Sequence, residues 1–201
     1  MNIHLIKDIC PGTMLRTNSS FLAYIRQLYE QQDTGNGISI KSFSTGQLLL
    51  QQGRNYPGIL LVSEGITKCF ITEENDKEYI VEFLGSGEIT GEIEAIRNMP
   101  CLCNVQALTD VSVFFLPKMT FYELLKKDLR FNNLLIEALT ERIVNTSSRA
   151  SFQQLYTIEH SLSKLLELQS KLNLNLSKDD MASYLGITIR SLNRALESLK
   201  Q

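Results

Sequence analysis

The sequence of 201 residues contains no long apolar run and few cysteines. No segment approaches the roughly 18 consecutive apolar residues that a membrane-spanning helix needs. The opening MNIHLIKDIC lacks the basic stretch and the apolar stretch of a secretory leader. The four cysteines are too few and too irregularly spaced for a disulfide-stabilised scaffold. These absences predict a cytoplasmic protein that does not contact a membrane and keeps its thiols reduced.

An excess of either charge is also missing. Lys and Arg number 20 against 22 Asp and Glu, so the formal net charge is −2. The molecule therefore has no overall cationic field that would attract nucleic acid without regard to sequence. Any contact with nucleic acid has to be local.

Catalytic signatures are absent as well. The sequence contains no GxxxxGKS/T phosphate-binding loop, no GxSxG nucleophile elbow and no HExxH zinc motif. Neither His4 nor His160 has a companion at metal-ligand spacing. We therefore expect a protein that is not an enzyme and that holds no metal.

Between Phe43 and Pro117 the chain breaks into short β-type runs separated by glycine. The runs are QLLLQQG, ILLVSEG, TKCFIT, YIVEFLG, VQAL and VSVFFLP. Glycine tolerates the positive φ angles of tight turns, so such endings are typical of closely spaced strands. The pattern predicts an all-β segment folded as a small roll or barrel.

Helical patterns flank this β segment. Before it, apolar residues recur at helical spacing from Asn18 to Gln32, behind an N-cap at Ser19 or Ser20. After it, helices are predicted through residues 119–157, with a brief interruption near Asp128.

Residues 158–201 are predicted to be helical and to end in a helix-turn-helix. Ser177 is a candidate N-cap for a helix that ends at Gly186, and Thr188 is a candidate cap for the last helix. Ala182 lies four residues before the glycine, so its small side chain would let the last helix approach closely. The apolar residues that fill the angle between the helices are Met181, Leu185, Ile187 and Leu192. The alternative is a helical hairpin that only packs, because short motifs also match by chance.

The last helix has one apolar and one polar face. The buried stripe is predicted at Leu192, Ala195, Leu196 and Leu199. The candidate DNA-contacting residues are Thr188, Ile189, Arg190, Ser191 and Arg194. Arginine can donate two parallel hydrogen bonds to guanine, and a short hydroxyl reaches a phosphate or a base edge. The alternative for both arginines is ordinary solvated surface, because from Lys178 onward four basic residues oppose three acidic ones.

The order of these parts resembles the CRP/FNR family of bacterial transcription regulators. The resemblance rests on TGQLLLQQG, ILLVSEGITKCFI and FLGSGEITGEI in the roll and on ERIVNTSSRASF in the long helix. It implies an α+β fold with an N-terminal cyclic-nucleotide-binding-like β-roll of the double-stranded β-helix or jelly-roll type, a long dimerisation helix and a C-terminal winged helix-turn-helix. The implied domains are 1–125, 126–157 and 158–201. The family's two-stranded wing is expected to be missing, because only Lys200 and Gln201 follow the last helix.

The resemblance also implies an effector site. Gly91 and Glu92 match the start of the family's phosphate cassette, in which backbone N–H groups hold a phosphate and the glutamate binds a ribose hydroxyl. Thr146 and Ser147 fall where nucleotide-binding members place a hydroxyl pair against the purine. These four residues are therefore candidates for an effector pocket.

The family's phosphate-neutralising arginine has no direct counterpart. Its place reads PCLCN at residues 100–104, and Arg97, a further pocket candidate, lies several positions too early. A buried nucleotide anion would lose charge-assisted hydrogen bonds without that cation. The sequence therefore predicts poor or no binding of cyclic AMP.

The cysteines do not match a cofactor site. An iron–sulfur cluster, which some family members use, needs four ligands, and the N-terminal region offers only Cys10. Cys101 and Cys103 could bind a soft metal or become oxidised, but a thiol pair alone supplies too few ligands. No cofactor is expected.

Together these patterns predict a homodimeric transcription regulator of the CRP/FNR type that binds double-stranded DNA. The dimer is expected to form through the helix around Phe131–Tyr156, along an apolar stripe of Leu135, Leu139 and Ile143. RNA polymerase is a further candidate partner. The alternative is a ligand-sensing or dimer-forming module that has lost sequence-specific DNA binding.

Overall fold

A computed structural model describes residues 14–31 and 37–200 of the chain. The described residues fall into two compact units, one of Leu15–Ala138 and one that contains the residues from Leu139 onward. His4 and Cys10 lie outside the described residues. No helix within these two stretches is both long and apolar enough to cross a membrane.

The first unit contains two β-sheets. Its strands are β1 (Leu15–Arg16), β2 (Ser39–Phe43), β3 (Leu48–Leu50), β4 (Gly58–Glu64), β5 (Thr67–Thr72), β6 (Glu78–Leu84), β7 (Ile89–Thr90), β8 (Asn104–Ala107) and β9 (Val111–Pro117). One sheet has the order β1-β6-β5-β8-β3 and the other β2-β9-β4-β7. The pair β1–β6 is parallel, whereas the other pairs are antiparallel. The predicted β-roll is confirmed, although the sequence patterns missed β1, β2 and β7.

An apolar cluster lies in the interior of the roll. Strands β4, β8 and β9 each contribute alternate side chains to it, as expected for sheets with one face buried. Its buried members are Leu49, Leu50, Leu60, Val62, Cys69, Leu84, Cys101, Val105, Ala107, Val111 and Val113. The half-buried side chains of Phe43, Tyr56, Val81, Cys103 and Phe115 pack against them.

One glycine allows the start of the first helix to lie against the roll. Gly87 has a φ of 86°, and a Cβ atom on it would lie 1.8 Å from the backbone oxygen of Asn18. The Asn18 N–H donates to the Ser86 carbonyl at 2.9 Å. Only a residue without a side chain fits this close approach.

Three helices of the first unit meet in an aromatic cluster. They are α1 (Ser19–Glu30), α3 (Lys118–Lys127) and the start of α4 (Leu129–Leu155). The unit also contains a short helix, α2 (Glu92–Arg97), between β7 and β8. Phe131 packs edge-on against Phe21 and Phe121, with ring centroids 5.6 and 5.7 Å apart. The N-cap of α1 is Asn18, whose side chain accepts from the Phe21 N–H, so the predicted cap at Ser19 or Ser20 is wrong.

The predicted helix interruption at Asp128 separates α3 from α4. The Asp128 carboxylate accepts from the Phe131 N–H at 2.9 Å and from the Tyr24 hydroxyl at 2.8 Å. The backbone hydrogen bond from Phe131 is the main reason that the pKa of Asp128 is lowered. Because the folded state favours the carboxylate, this cap stabilises the unit at neutral pH and is lost as the pH falls through the lowered pKa.

The second unit is helical, as predicted. After the C-terminal part of α4 come α5 (Ile158–Leu172), α6 (Lys178–Leu185) and α7 (Ile189–Ser198). Thr157, Ser177 and Thr188 are their N-caps, and each side chain accepts a backbone N–H from the first turn. The buried apolar residues of these three helices and of the α5–α6 connection are Leu162, Leu165, Leu174, Leu176, Met181, Ala182, Tyr184, Leu192 and Ala195.

Candidate DNA-binding face and effector region

The turn between α6 and α7 has the construction that the sequence predicted. The Ser177 hydroxyl accepts from the Asp180 N–H at 3.0 Å and donates to the Asp180 carboxylate at 2.8 Å, which fixes the start of α6. Gly186 ends α6 with a φ of 68°, a left-handed conformation that reverses the chain direction at little steric cost. Ala182 is buried beside this turn.

Helix α7 presents the candidate DNA-contacting residues on its N-terminal half. Leu192 and Ala195 are buried, whereas Thr188, Ile189, Arg190 and Arg194 are exposed and Ser191 is half-buried. The Thr188 hydroxyl accepts from the Ser191 N–H at 3.2 Å, so both hydroxyl residues also stabilise the helix start. Arg190 and Arg194 lie one helical turn apart, which matches the spacing expected of side chains that read neighbouring base edges.

Two details of this unit differ from the prediction or were missed by it. Leu199 is 42% exposed and follows α7 as its C-cap, so its assignment to the buried stripe is wrong. The Lys178 ammonium donates to the Asn193 side chain at 2.9 Å and thereby ties the start of α6 to α7. Sequence spacing gave no sign of this contact, because both residues are polar and common on helix surfaces.

The cassette residues lie around α2. Gly91 is the N-cap of α2, and Glu92 is buried in its first turn. Arg97 is exposed in the last turn of the same helix. The structure therefore brings Gly91 and Glu92 together and leaves Arg97 at the solvent-facing end of α2.

A buried thiol lies in the loop where the family's arginine would stand. Cys101 is part of the apolar cluster inside the roll, and its N–H donates to the Arg54 carbonyl at 2.9 Å. Burial, followed by the nearby Glu94 carboxylate, raises the pKa of the Cys101 thiol. This position supplies a neutral S–H group to the roll interior. Within the described part of the chain, no group of three or more His, Cys, Asp or Glu side chains could hold a metal ion.

The two cations buried among the described residues of the roll already have anionic partners. The Lys68 ammonium lies 3.9 Å from the Glu78 carboxylate. The Arg16 guanidinium forms ion pairs of 2.7 Å with Glu82 and 2.6 Å with Glu88. A nucleotide phosphate would therefore have to compete with protein carboxylates for either cation.

Arg16 also connects the roll to the long helix. Its guanidinium donates to the Ala138 carbonyl in α4 at 3.3 Å. The Arg16 and Glu88 side chains are only 3% and 1% exposed. Sequence reasoning missed this triad of Arg16, Glu82 and Glu88 because its members lie far apart along the chain.

Thr146 and Ser147 are exposed on the second half of α4. They belong to the unit that starts at Leu139, whereas Gly91 and Glu92 belong to the roll. The proposed hydroxyl contact with a purine stays a prediction.

Known proteins that resemble this chain agree with a β-roll followed by a helical unit. Residues 40–128 match the family model of the cyclic nucleotide-binding domain. The regulatory protein HlyX of Actinobacillus pleuropneumoniae is 23% identical over 167 residues, which cover 78% of this chain and 69% of that protein. The anaerobic regulatory protein of Haemophilus influenzae is 25% identical, over 78% of this chain and 65% of that protein. The chain therefore contains a cyclic nucleotide-binding domain and is similar to bacterial regulatory proteins over most of its length.

The CRP/FNR fold is shared with solved structures at low sequence identity. A transcriptional regulator of this family from Thermus thermophilus superposes with a TM-score of 0.70 and 17% identity. The match covers 81% of this chain and 86% of that one. The α+β architecture expected from the sequence is therefore confirmed.

Proposed function

We propose that this CRP/FNR regulator binds DNA as a homodimer through α7 and that cyclic AMP is not its effector. The observation that supports DNA binding is the exposed pair Arg190 and Arg194 on a helix anchored by the buried Leu192 and Ala195. A helix held in this way fits the major groove with its N-terminal residues against base edges. In this function the protein works in the cytoplasm, with RNA polymerase as a further partner.

Replacing Arg190 by alanine should relax the sequence preference at one base pair in each half-site. A bidentate arginine–guanine contact discriminates by about 1–3 kcal/mol, whereas a phosphate contact weakens binding to all sequences alike. The measurement is a selection from random duplexes at fixed moderate salt, because the electrostatic contribution depends steeply on salt.

Lys171→Ala is the matched control for Arg190→Ala. Lys171 is an exposed cation in the last turn of α5 and lies outside α7, so its loss should leave the selected sequence unchanged. If the wild-type protein enriches no duplex at all, DNA reading by α7 is refuted. The chain would then be a ligand-sensing or dimer-forming module.

The surface proposed for dimerisation lies along α4. Leu129, Ile136 and Ile143 follow one another at seven-residue spacing and are 74%, 62% and 67% exposed. Seven-residue spacing keeps side chains on one face of a helix that packs against a second helix. Leu135, by contrast, is buried within its own unit, so its inclusion in the predicted dimer stripe is wrong.

Sedimentation should show a dimer of the 22.8 kDa chain at micromolar concentration. The variant Ile136→Glu should raise the dissociation constant by about 100-fold or more, because two copies of a charge would be buried across the symmetric interface. Ile96→Glu changes an equally apolar, 48% exposed residue on α2 and should leave the dimer intact. A wild-type protein that sediments only as a monomer would contradict the proposed interface.

Calorimetry with cyclic AMP should detect no binding at micromolar nucleotide. The physical reason is that residues 100–104 offer the neutral Cys101 and no cation, together with the pairing of Arg16 and Lys68 to carboxylates. Micromolar affinity that disappears in Arg97→Ala would instead assign the phosphate contact to Arg97.

A further inference from the structure

The carbonyl group of Tyr184 lies at the point where α6 ends and the chain turns toward α7. Both the Gly186 and Ile187 N–H groups donate to the Ala182 carbonyl. This turn removes the amide that would donate to Tyr184 if the helix continued. The Tyr184 carbonyl accepts hydrogen bonds from side chains of another element.

Two side chains of α4 bond to this carbonyl. The Arg149 guanidinium donates to it at 2.5 Å, and the Gln153 side-chain amide donates at 3.3 Å. Arg149 and Gln153 are four residues apart and so share one face of α4. The positive charge of Arg149 also interacts favourably with the negative, C-terminal end of the α6 dipole.

Arg149 makes a second contact with the same residue. The centre of its guanidinium lies 4.0 Å from the centroid of the Tyr184 ring, which is the range of a cation–π contact. Tyr184 is 5% exposed, so its ring and its carbonyl are both held within the unit. We define these contacts among Arg149, Gln153 and Tyr184 as the α4–α6 latch.

The latch acts on α7 through α6. Lys178 at the start of α6 bonds to Asn193 in α7, and Ala182 is buried beside the turn that joins the two helices. Helix α7 therefore follows any movement of α6. Because the latch fixes α6 on α4, it also fixes the direction of α7 relative to α4.

We propose that Arg149 is a positioning residue that sets the distance between the two α7 helices of a dimer. This proposal rests on the proposed function, in which α4 forms the dimer and α7 reads DNA. Two α7 helices fit successive major grooves only at a defined separation. Loss of the latch would let each helix pair α6–α7 rotate against α4, so that several half-site spacings become acceptable.

The test is a selection from duplexes that carry two random half-sites separated by spacers of varied length. The wild-type protein should enrich one half-site sequence at one spacing. Arg149→Met, which keeps an unbranched apolar side chain, should enrich the same half-site at several spacings. It should bind the wild-type duplex roughly tenfold more weakly, the loss expected for a hydrogen bond from a charged donor.

Two further variants separate the latch from charge and stability. Lys171→Met removes one positive charge from the same unit without touching Tyr184 and should keep the wild-type spacing. Arg149→Lys keeps the charge but loses the planar guanidinium and its ring contact, so it should fall between the wild type and Arg149→Met. If Arg149→Met keeps both the single spacing and the wild-type affinity, the proposal is overturned.

Hydrogen exchange tests the latch without DNA. In Arg149→Met the amides of Gly186 and Ile187 should exchange about tenfold faster, while the amides of strands β4 and β9 in the roll keep their rates. Unchanged exchange at the turn would refute the latch even if the wild type selected no DNA site. Faster exchange without DNA selection would retain the latch and refute only the proposed DNA function.

Discussion

Replacing Arg16 by methionine should lower the free energy of unfolding by about 3–5 kcal/mol, the range measured when one partner of a buried ion pair is removed. The reason is Glu88, whose carboxylate is almost fully buried and lies 2.6 Å from the Arg16 guanidinium. Without the guanidinium, Glu88 and Glu82 would face each other as like charges in the roll. Urea unfolding of the two proteins measures the difference.

The double variant Arg16→Met/Glu88→Gln is the control for this prediction. It removes the charge of Glu88, the more deeply buried of the two carboxylates, while keeping the shape of both side chains, so a large part of the lost stability should return. A loss below about 1 kcal/mol for the single variant would match a surface ion pair instead. That result would show that the contacts of Arg16 contribute little to the stability of this unit.

Gly87→Ala should lower the free energy of unfolding by about 4 kcal/mol or more, a loss that single substitutions reach only through mechanisms such as severe local strain. The added methyl group would lie 1.8 Å from the Asn18 backbone oxygen. Relief requires the start of α1 to move away from the roll, which would break the bond from the Asn18 N–H to the Ser86 carbonyl. Thermal unfolding followed by circular dichroism measures the effect.

Gly46→Ala is the control for Gly87→Ala, because the two glycines have the same backbone conformation but different surroundings. Gly46 has the same φ of 86° as Gly87, yet a Cβ atom on it meets nothing within 4 Å. The variant should lose only about 1–2 kcal/mol, the cost of a left-handed alanine. Equal losses at Gly46 and Gly87 would mean that the backbone angle, and not the contact with Asn18, sets the effect.

Local patterns predicted those parts of the fold whose determinants lie close together in sequence. The caps Ser177 and Thr188 and the turn at Gly186 each depend on residues within one helical turn, and the structure has them as expected. Strand β1 was not predicted because two residues, Leu15 and Arg16, are too few to show alternation. It forms only because it pairs in parallel with the distant β6.

The candidate site divides in the same way. The candidate DNA-contacting face of α7 follows from helical periodicity over a single helix. The α4–α6 latch and the Arg16 triad depend on contacts between distant segments, such as Arg149 with Tyr184, which sequence spacing does not encode. In the dimer stripe predicted on α4 only Leu135 is contradicted, since apolar periodicity alone could not tell the buried Leu135 from the exposed Ile136.

The apolar cluster inside the roll limits how an effector could bind between the two sheets. Leu60, Val62, Val105 and Val113 are buried there among other apolar side chains, and protein interiors of this kind are packed about as densely as organic crystals. A molecule that displaced these side chains would have to select a minor population of expanded rolls. Its apparent affinity would then fall in proportion to the size of that population. Such an effector would act by trapping an open state, and mutations that loosen the cluster would tighten its binding.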